Sequence, residues 1–441
     1  MSKSHRLRFT SLIMLVVMLF ILSLAAAQDS VDEQPILKML ANVPDNATSR
    51  SEIFFNDRKA IEATYPSAKM PVDWASFAAY RDDKGKTDSF KPIDLWWKVW
   101  RNQQSSRIAQ YMGVSDEMQN VVGFDFFTIA QEMNYGRPPQ QTLQLSGAFD
   151  LGKVRAALTL QGYSQQDQAG VEVWCGPDGC DSGAKVNLKD RNPSNPFGGD
   201  LGRKWPIIVQ ENNLIGTPDS TVIQNHVAVK SGNAASLGSA PEYRAAVEAL
   251  TKNGVLMQAY FGDGEVLSTM SQLDPALVAT KPEQRKKILV GILNGYEPLP
   301  IYKLLAFGDI ASDTKMTAET VLIYDNQADA NKAAEILSRR IIGYFSLFNR
   351  RPLIDMLAER GVTEPNIQVM ESNGQYVALI SFAAAKTSID DILAMRANGE
   401  SVSLGIIPPG SMYRLLVSSA VHYDLGWLST TPRETLEAAA K

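Results

Sequence analysis

Histidine is nearly absent from this chain of 441 residues: three in all, and His5 sits at the extreme N-terminus, leaving His226 and His422 for a folded body. No His-Glu-x-x-His zinc helix can be written, and two distant histidines without a carboxylate pattern beside them make a poor metal site. The Gly-x-Ser-x-Gly elbow of an α/β-hydrolase is missing. Gly85-Lys86-Thr87 ends like a phosphate loop, but Tyr80 stands where the first glycine belongs. Gly262-Asp263-Gly264 is followed by Leu267 where a dinucleotide fingerprint needs its third glycine, so a tight turn is expected there. Asp325, Asp329 and Asn331, like Asp178, Asp181 and Asp190, offer oxygen ligands without the EF-hand order, and helix capping and solvation account for them. Ser411, His422 and Asp424 match a triad in residue type only, because closeness in sequence does not bring side chains together in space. These absences lead to the expectation of no metal, no cofactor and no nameable catalytic residue.

Cysteine is also scarce. The pair Cys175 and Cys180 flanks Gly176-Pro177-Asp178-Gly179. Four intervening residues fail the two-residue spacing of a thioredoxin-like pair, and one pair is half of a zinc knuckle. In an oxidising compartment the expectation is a disulfide closing a tight turn.

Such a compartment is suggested by the N-terminus. Lys3, His5, Arg6 and Arg8 precede an apolar run from Leu12 to Leu24, and Ala25-Ala26-Ala27 follows, the three-part pattern of a secretory signal. Cleavage before Gln28 is expected, with a retained anchor as the rival, since Phe9 to Ala27 approaches spanning length. Without residues 1–27 the chain keeps 40 basic against 48 acidic residues, a net charge of −8. No concentrated basic tract remains, which argues against nucleic acid as a partner. Membrane contact is expected only through the N-terminal segment, if uncleaved.

With 45% hydrophobic and 21% charged residues the body is globular in composition. Residues 28–120 read as an introductory segment packing on a first lobe. It joins the main sheet near Glu52 to Phe55, and Asn56 or Asp57 opens a helix. Thr142 to Phe149 alternates like a strand, Asp150 is placed to cap a helix through Val154, Ala157 and Leu158, and Ala169 to Trp174 returns as a strand. Residues 176–204 form a long loop, and Asp219-Ser220-Thr221 opens a helix through His226. Thr320 to Tyr324, Ala330 to Ile342 and Tyr376 to Phe382 repeat the grammar, with Asn373-Gly374 as a hairpin turn. The expected fold is α+β: mainly antiparallel sheets with packed helices, in two related lobes built from strand-helix-strand units. These are residues 121–275, carrying the disulfide loop, and 300–430. Low-contact joints are expected near 268–290 or 290–315, and 431–441 as a flexible tail.

Leu40-Ala41-Asn42-Val43-Pro44, Ser51 to Asp57, Gly147-Ala148-Phe149-Asp150 and Ser236 to Tyr243 together resemble uncharacterised extracytoplasmic bacterial proteins with repeated α+β units. The resemblance implies export and no particular reaction. Two stretches suggest a partner surface. Trp96, Trp97 and Trp100 read as a helix stapled to the core, with an aromatic platform for sugar rings or a membrane-interface anchor as the functional alternatives. Arg339, Arg340, Arg350 and Arg351 bracket the apolar run Ile341 to Phe348. The functional expectation is an exported non-enzymatic binding protein of the envelope or extracellular space, its partner an envelope component or small ligand. The alternatives are a glycan-acting hydrolase with a dispersed carboxylate pair and a protein-interaction scaffold.

Overall fold

The computed structural model describes residues 34–66, 70–84, 106–264, 281–386, 394, 398, 410–422 and 424–439. The leader, the Gly85-Lys86-Thr87 stretch and Trp96, Trp97 and Trp100 lie outside the described residues.

Short polar side chains set the helix starts. Pro35 occupies the first turn of α1 (Pro35–Leu40), where its missing N–H costs nothing. Asn46 accepts from Ser49 N at the start of α2 (Ala47–Arg50), and Asp57 from Ala60 N at 2.9 Å for α3 (Arg58–Thr64). Asp150 caps α4 (Leu151–Leu160), as its spacing predicts, and Asp219 caps α5 (Ser220–Lys230). Proline opens α6 (Pro241–Thr251) and α7 (Pro282–Leu293). Asn326 caps α8 (Gln327–Gly343), and the chain closes through α9 (Ser411–Val421) and α10 (Arg433–Ala439).

Twelve strands form one antiparallel sheet. In chain order they are β1 (Ile53–Asp57), β2 (Ile129–Tyr135), β3 (Thr142–Gly147), β4 (Ser164–Gln168), β5 (Val171–Cys175), β6 (Ile207–Gln210), β7 (Asn213–Gly216), β8 (Val255–Asp263), β9 (Leu304–Ala311) and β10 (Lys315–Tyr324). A separate two-stranded ribbon, β11 (Phe345–Ser346) with β12 (Arg351–Pro352), precedes β13 (Asn366–Ser372) and β14 (Gln375–Ala385). The order across the sheet is β13-β14-β10-β9-β8-β1-β2-β3-β7-β6-β5-β4. The turn between β13 and β14 holds Asn373 and Gly374 at φ of 48° and 71°, the left-handed pair that an Asn-Gly hairpin requires.

The α+β expectation, antiparallel with packed helices, holds. Two hairpin-helix-hairpin runs, β2-β3-α4-β4-β5 and β9-β10-α8-β13-β14, extend outward from the central neighbours β1 and β8. Helices cover both faces. On one, α1 and α6 bury Leu37, Leu40, Ala246 and Leu250 against Phe55, Met133, Phe261 and Val321. On the other, α8 and α9 bury Ala333, Leu337, Ile341 and Leu416 against Phe307, Leu322 and Ile380.

Three expectations are corrected. The range 290–315 is no low-contact joint: every residue of β9 is buried, and the strand pairs with β8 and β10. Of the tail expected over 431–441, residues 433–439 form α10 and its Leu436 packs on Leu289 and Leu293 of α7, while 440 and 441 lie outside the described residues. Gly262 and Asp263 continue β8 instead of turning, and Gly264 lies so close to Tyr302 O that a Cβ there would collide. Cys175, ending β5, is disulfide-bonded to Cys180 with Cα atoms 4.6 Å apart, across a turn in which Gly179 N donates to Gly176 O.

Candidate functional site

The β2–β3 hairpin is joined by Gly136 to Gln141, and at its mouth Tyr135 and Thr142 stand directly opposite one another, sharing a face. That face looks toward α2 and α5. Between them lies a cavity of about 290 Å³. Its hydroxyls come from Thr48, Ser49, Tyr135, Thr142 and Thr221, its amides from Asn46, Gln140 and Asn225. Asp219 is the one charged residue among the described lining residues, while Ala47 and Val222 supply carbon.

Each wall is held by local structure. Asp219 Oδ1 accepts from Thr221 N at 2.8 Å, the cap that starts α5, and Oδ2 accepts from Gln140 Nε2 at 3.2 Å, tying the hairpin turn to that helix. Asn46 Oδ1 is occupied by Ser49 N at 2.9 Å, which leaves its Nδ2 hydrogens for the cavity. Thr142 is fully buried beside Tyr135, and its hydroxyl donates to the Tyr135 phenol oxygen.

Behind the floor, His226 projects from α5 alongside Val222 and Ile223, one turn away on the same face. Its Nε2 is hydrogen-bonded to the Tyr135 hydroxyl, and the Asn42 carbonyl accepts from the ring. Complete burial pushes the imidazole down to about 4, and burial likewise holds the Tyr135 phenol well above its ordinary value. His226 is therefore a neutral structural histidine one layer behind the cavity. Nothing in its sequence surroundings announces this, since Asn42, Tyr135, Thr142 and His226 come from four separated segments.

A second polar group crosses the centre of the opposite face. Asp309, Gln258, Asn56 and Glu132 are successive cross-strand neighbours on β9, β8, β1 and β2. Gln258 Nε2 donates to Asp309 Oδ2 at 3.0 Å. Asn56 Oδ1 and Nδ2 and Gln258 Oε1 are buried without partners. Glu132 accepts from Ser106 Oγ, from the N–H groups of Arg107 and Ile108 and from Asn134 Nδ2. Burial raises both carboxyls, Asp309 to about 7. Three strand spacings put them about 14 Å apart, outside the roughly 5 to 9.5 Å that glycoside hydrolysis uses. Glu319, also raised to about 7 by burial, lies on the other side of the sheet, opposite Gly308.

The four arginines separate. Arg339 is exposed and pairs with Glu335 and Glu297, and Arg351 is exposed and pairs with Glu359. Arg340 is not a surface cation: its half-buried guanidinium donates to the carbonyls of Glu297, Trp427 and Ser429 and lies 5.0 Å from the Tyr296 ring. Arg350 is exposed at the tip of the β11–β12 ribbon with φ of 56°. Beside these cations Ile342, Phe345 and Phe348 remain 65%, 50% and 47% exposed, and the Phe348 ring stacks on His422 at 3.9 Å.

Ser411 and His422 flank the length of α9, about 16 Å at helical rise, while Asp424 binds Tyr344, Ser346 and Leu347 N. The written triad does not assemble. Asp325 pairs with Lys303 and Asp181 accepts from Ser220, and among the described residues no group of three or more His, Cys, Asp or Glu could hold a metal ion.

Among the described residues no helix is long and apolar enough to cross a membrane. No family model matches the chain, and no curated protein matches it. Crystal forms I, III and IV of TP0453, from Treponema, align at 8% identity with TM-scores of 0.32, 0.29 and 0.30. They cover 82%, 81% and 81% of this chain and 97%, 97% and 96% of theirs. At that level the likeness carries no argument about what the chain does.

Proposed function

We propose that this chain is an exported, non-enzymatic binding protein of the envelope or extracellular space that holds a small polar ligand in the cavity between α2, α5 and the β2–β3 hairpin. The observation that carries the reading is the lining itself: hydroxyls and amides from three structural elements converge on a concavity near the lower end of ligand-pocket size, about 300 Å³. Export rests on the leader pattern, on the bonded cysteine pair and on the resemblance to extracytoplasmic α+β proteins. The glycan-hydrolase alternative is disfavoured by the separation of Glu132 and Asp309, and the acidic balance disfavours nucleic acid.

The test is ligand recovery. Purified protein is incubated with a small-molecule extract, washed and denatured, and the released compounds are read by mass spectrometry beside Thr48→Trp, which fills the cavity. A compound enriched on the native chain and lost in the variant is expected. Equal recovery from both removes the cavity from the function.

The exposed Ile342, Phe345 and Phe348 beside Arg350 favour a second reading, an interaction scaffold. In that case Phe345→Ser with Phe348→Ser abolishes association with envelope extracts while ligand recovery is unchanged.

A further inference from the structure

The direction of each hydrogen bond around the cavity constrains what can enter. The neutral His226 ring has one N–H, which the Asn42 carbonyl takes, so Nε2 is left as an acceptor and the Tyr135 O–H must point at it. Tyr135 therefore turns only lone pairs toward other neighbours. Asp219 is acceptor-only as a carboxylate, and its two oxygens each hold one protein donor while keeping lone pairs open. Facing these acceptors are the Nδ2 hydrogens of Asn46 and the amide of Asn225, while the Thr142 hydroxyl is spent on Tyr135.

An alcohol group complements such a set, because it donates to a carboxylate or phenol oxygen and accepts from an amide in the same pose. A carboxylate or phosphate would meet Asp219 and the Tyr135 lone pairs with no Lys, Arg or His among the described lining residues to offset the repulsion. An apolar molecule would strip water from Asp219 and the amides without replacing their bonds. The volume suits about one ring, and Ala47 and Val222 give its C–H face carbon to rest on.

Resting on the binding reading above, we propose that the cavity takes an uncharged, hydroxyl-rich ligand of about one sugar ring. Hydroxyls donate to Asp219 and Tyr135 and accept from Asn46 and Asn225.

The experiment titrates the full exported chain with D-glucose, N-acetyl-D-glucosamine and myo-inositol, and with ethylammonium, acetate and phosphate, by calorimetry and thermal shift. At least one hydroxylated probe binds saturably, and Asp219→Asn weakens it at least tenfold, while acetate and phosphate give no signal. Tyr135→Phe also leaves His226 without its partner, so it is read only if its unfolding temperature stays near that of the parent. Asp219→Asn keeps the shape of the side chain and the cap on Thr221 N, and is the decisive variant. Saturable binding of ethylammonium or an anion that Thr48→Trp abolishes overturns the ligand class and leaves the binding site standing. Hydroxylated-probe binding untouched by Asp219→Asn and Thr48→Trp overturns the site. If no probe binds while the extract yields a charged or apolar compound lost in Thr48→Trp, the class falls and the binding reading survives. If no probe binds and the extract yields nothing, both fall.

Discussion

Asp309 and His226 are buried on opposite faces of the sheet and make opposite demands on pH. Burial lifts the Asp309 carboxyl from 3.8 to about 7, so the folded chain holds its proton more tightly than the unfolded chain does. Its stability is complete below about pH 4 and is lost as pH rises through about 7, by up to about 4 kcal/mol. Asp309→Asn keeps an acceptor for Gln258 and removes the charge. Its urea midpoint at pH 8 is expected to exceed that of the parent, with less than half that gain at pH 5 and little at pH 4. A uniform loss at all three would contradict the assignment. His226 is depressed from 6.5 to about 4, so its contribution is present above about pH 6.5 and is lost as pH falls toward 4, by about 3 kcal/mol at most. His226→Gln should flatten the acid limb of the stability curve. Because the two slopes oppose each other over pH 4 to 6.5, each is read as the difference between variant and parent.

At the level of elements, adjacent arginines at the end of α8 should behave differently. Arg340 satisfies carbonyls of Glu297, Trp427 and Ser429, and Arg340→Met strands them at a cost of about 3 kcal/mol in denaturant unfolding. Arg339, exposed and paired at the surface, should change stability by less than about 1 kcal/mol when replaced by alanine. Cys175→Ser with Cys180→Ser is expected to cost about 2 kcal/mol through the small loop it opens, measured against the oxidised parent. Which elements the sequence discloses follows from the same local physics. The caps at Asp57, Asp150, Asp219 and Asn326 and the Asn373-Gly374 hairpin are readable because a short polar side chain or a left-handed residue acts within three positions of itself. Strand β9 is hidden because both of its faces are covered, so Leu-Leu-Ala-Phe-Gly-Asp-Ile-Ala shows no alternation. Strand β4, Ser-Gln-Gln-Asp-Gln, is hidden for the opposite reason: no residue of it enters the core. The cavity is invisible because amides and hydroxyls at Asn46, Gln140, Thr142 and Asn225 form no motif until the hairpin and α5 meet.

For the molecule as a whole, the shared sheet sets how it comes apart. Strand β8 pairs with β1 on one side and β9 on the other, so the two hairpin-helix-hairpin runs have no unpaired seam between them. Urea unfolding followed by tryptophan fluorescence and by far-ultraviolet circular dichroism should give coincident single transitions. Two separated midpoints would show that the halves melt independently.

The sheet is nevertheless open at its ends. At one rim β4 exposes Ser164, Gln165, Gln166 and Asp167, with neither proline nor lysine to spoil docking by a further strand. Lateral stacking of molecules through that glutamine-rich border is the hazard to manage in concentrated stocks, and a lysine at Gln166 is the simplest guard against turbidity.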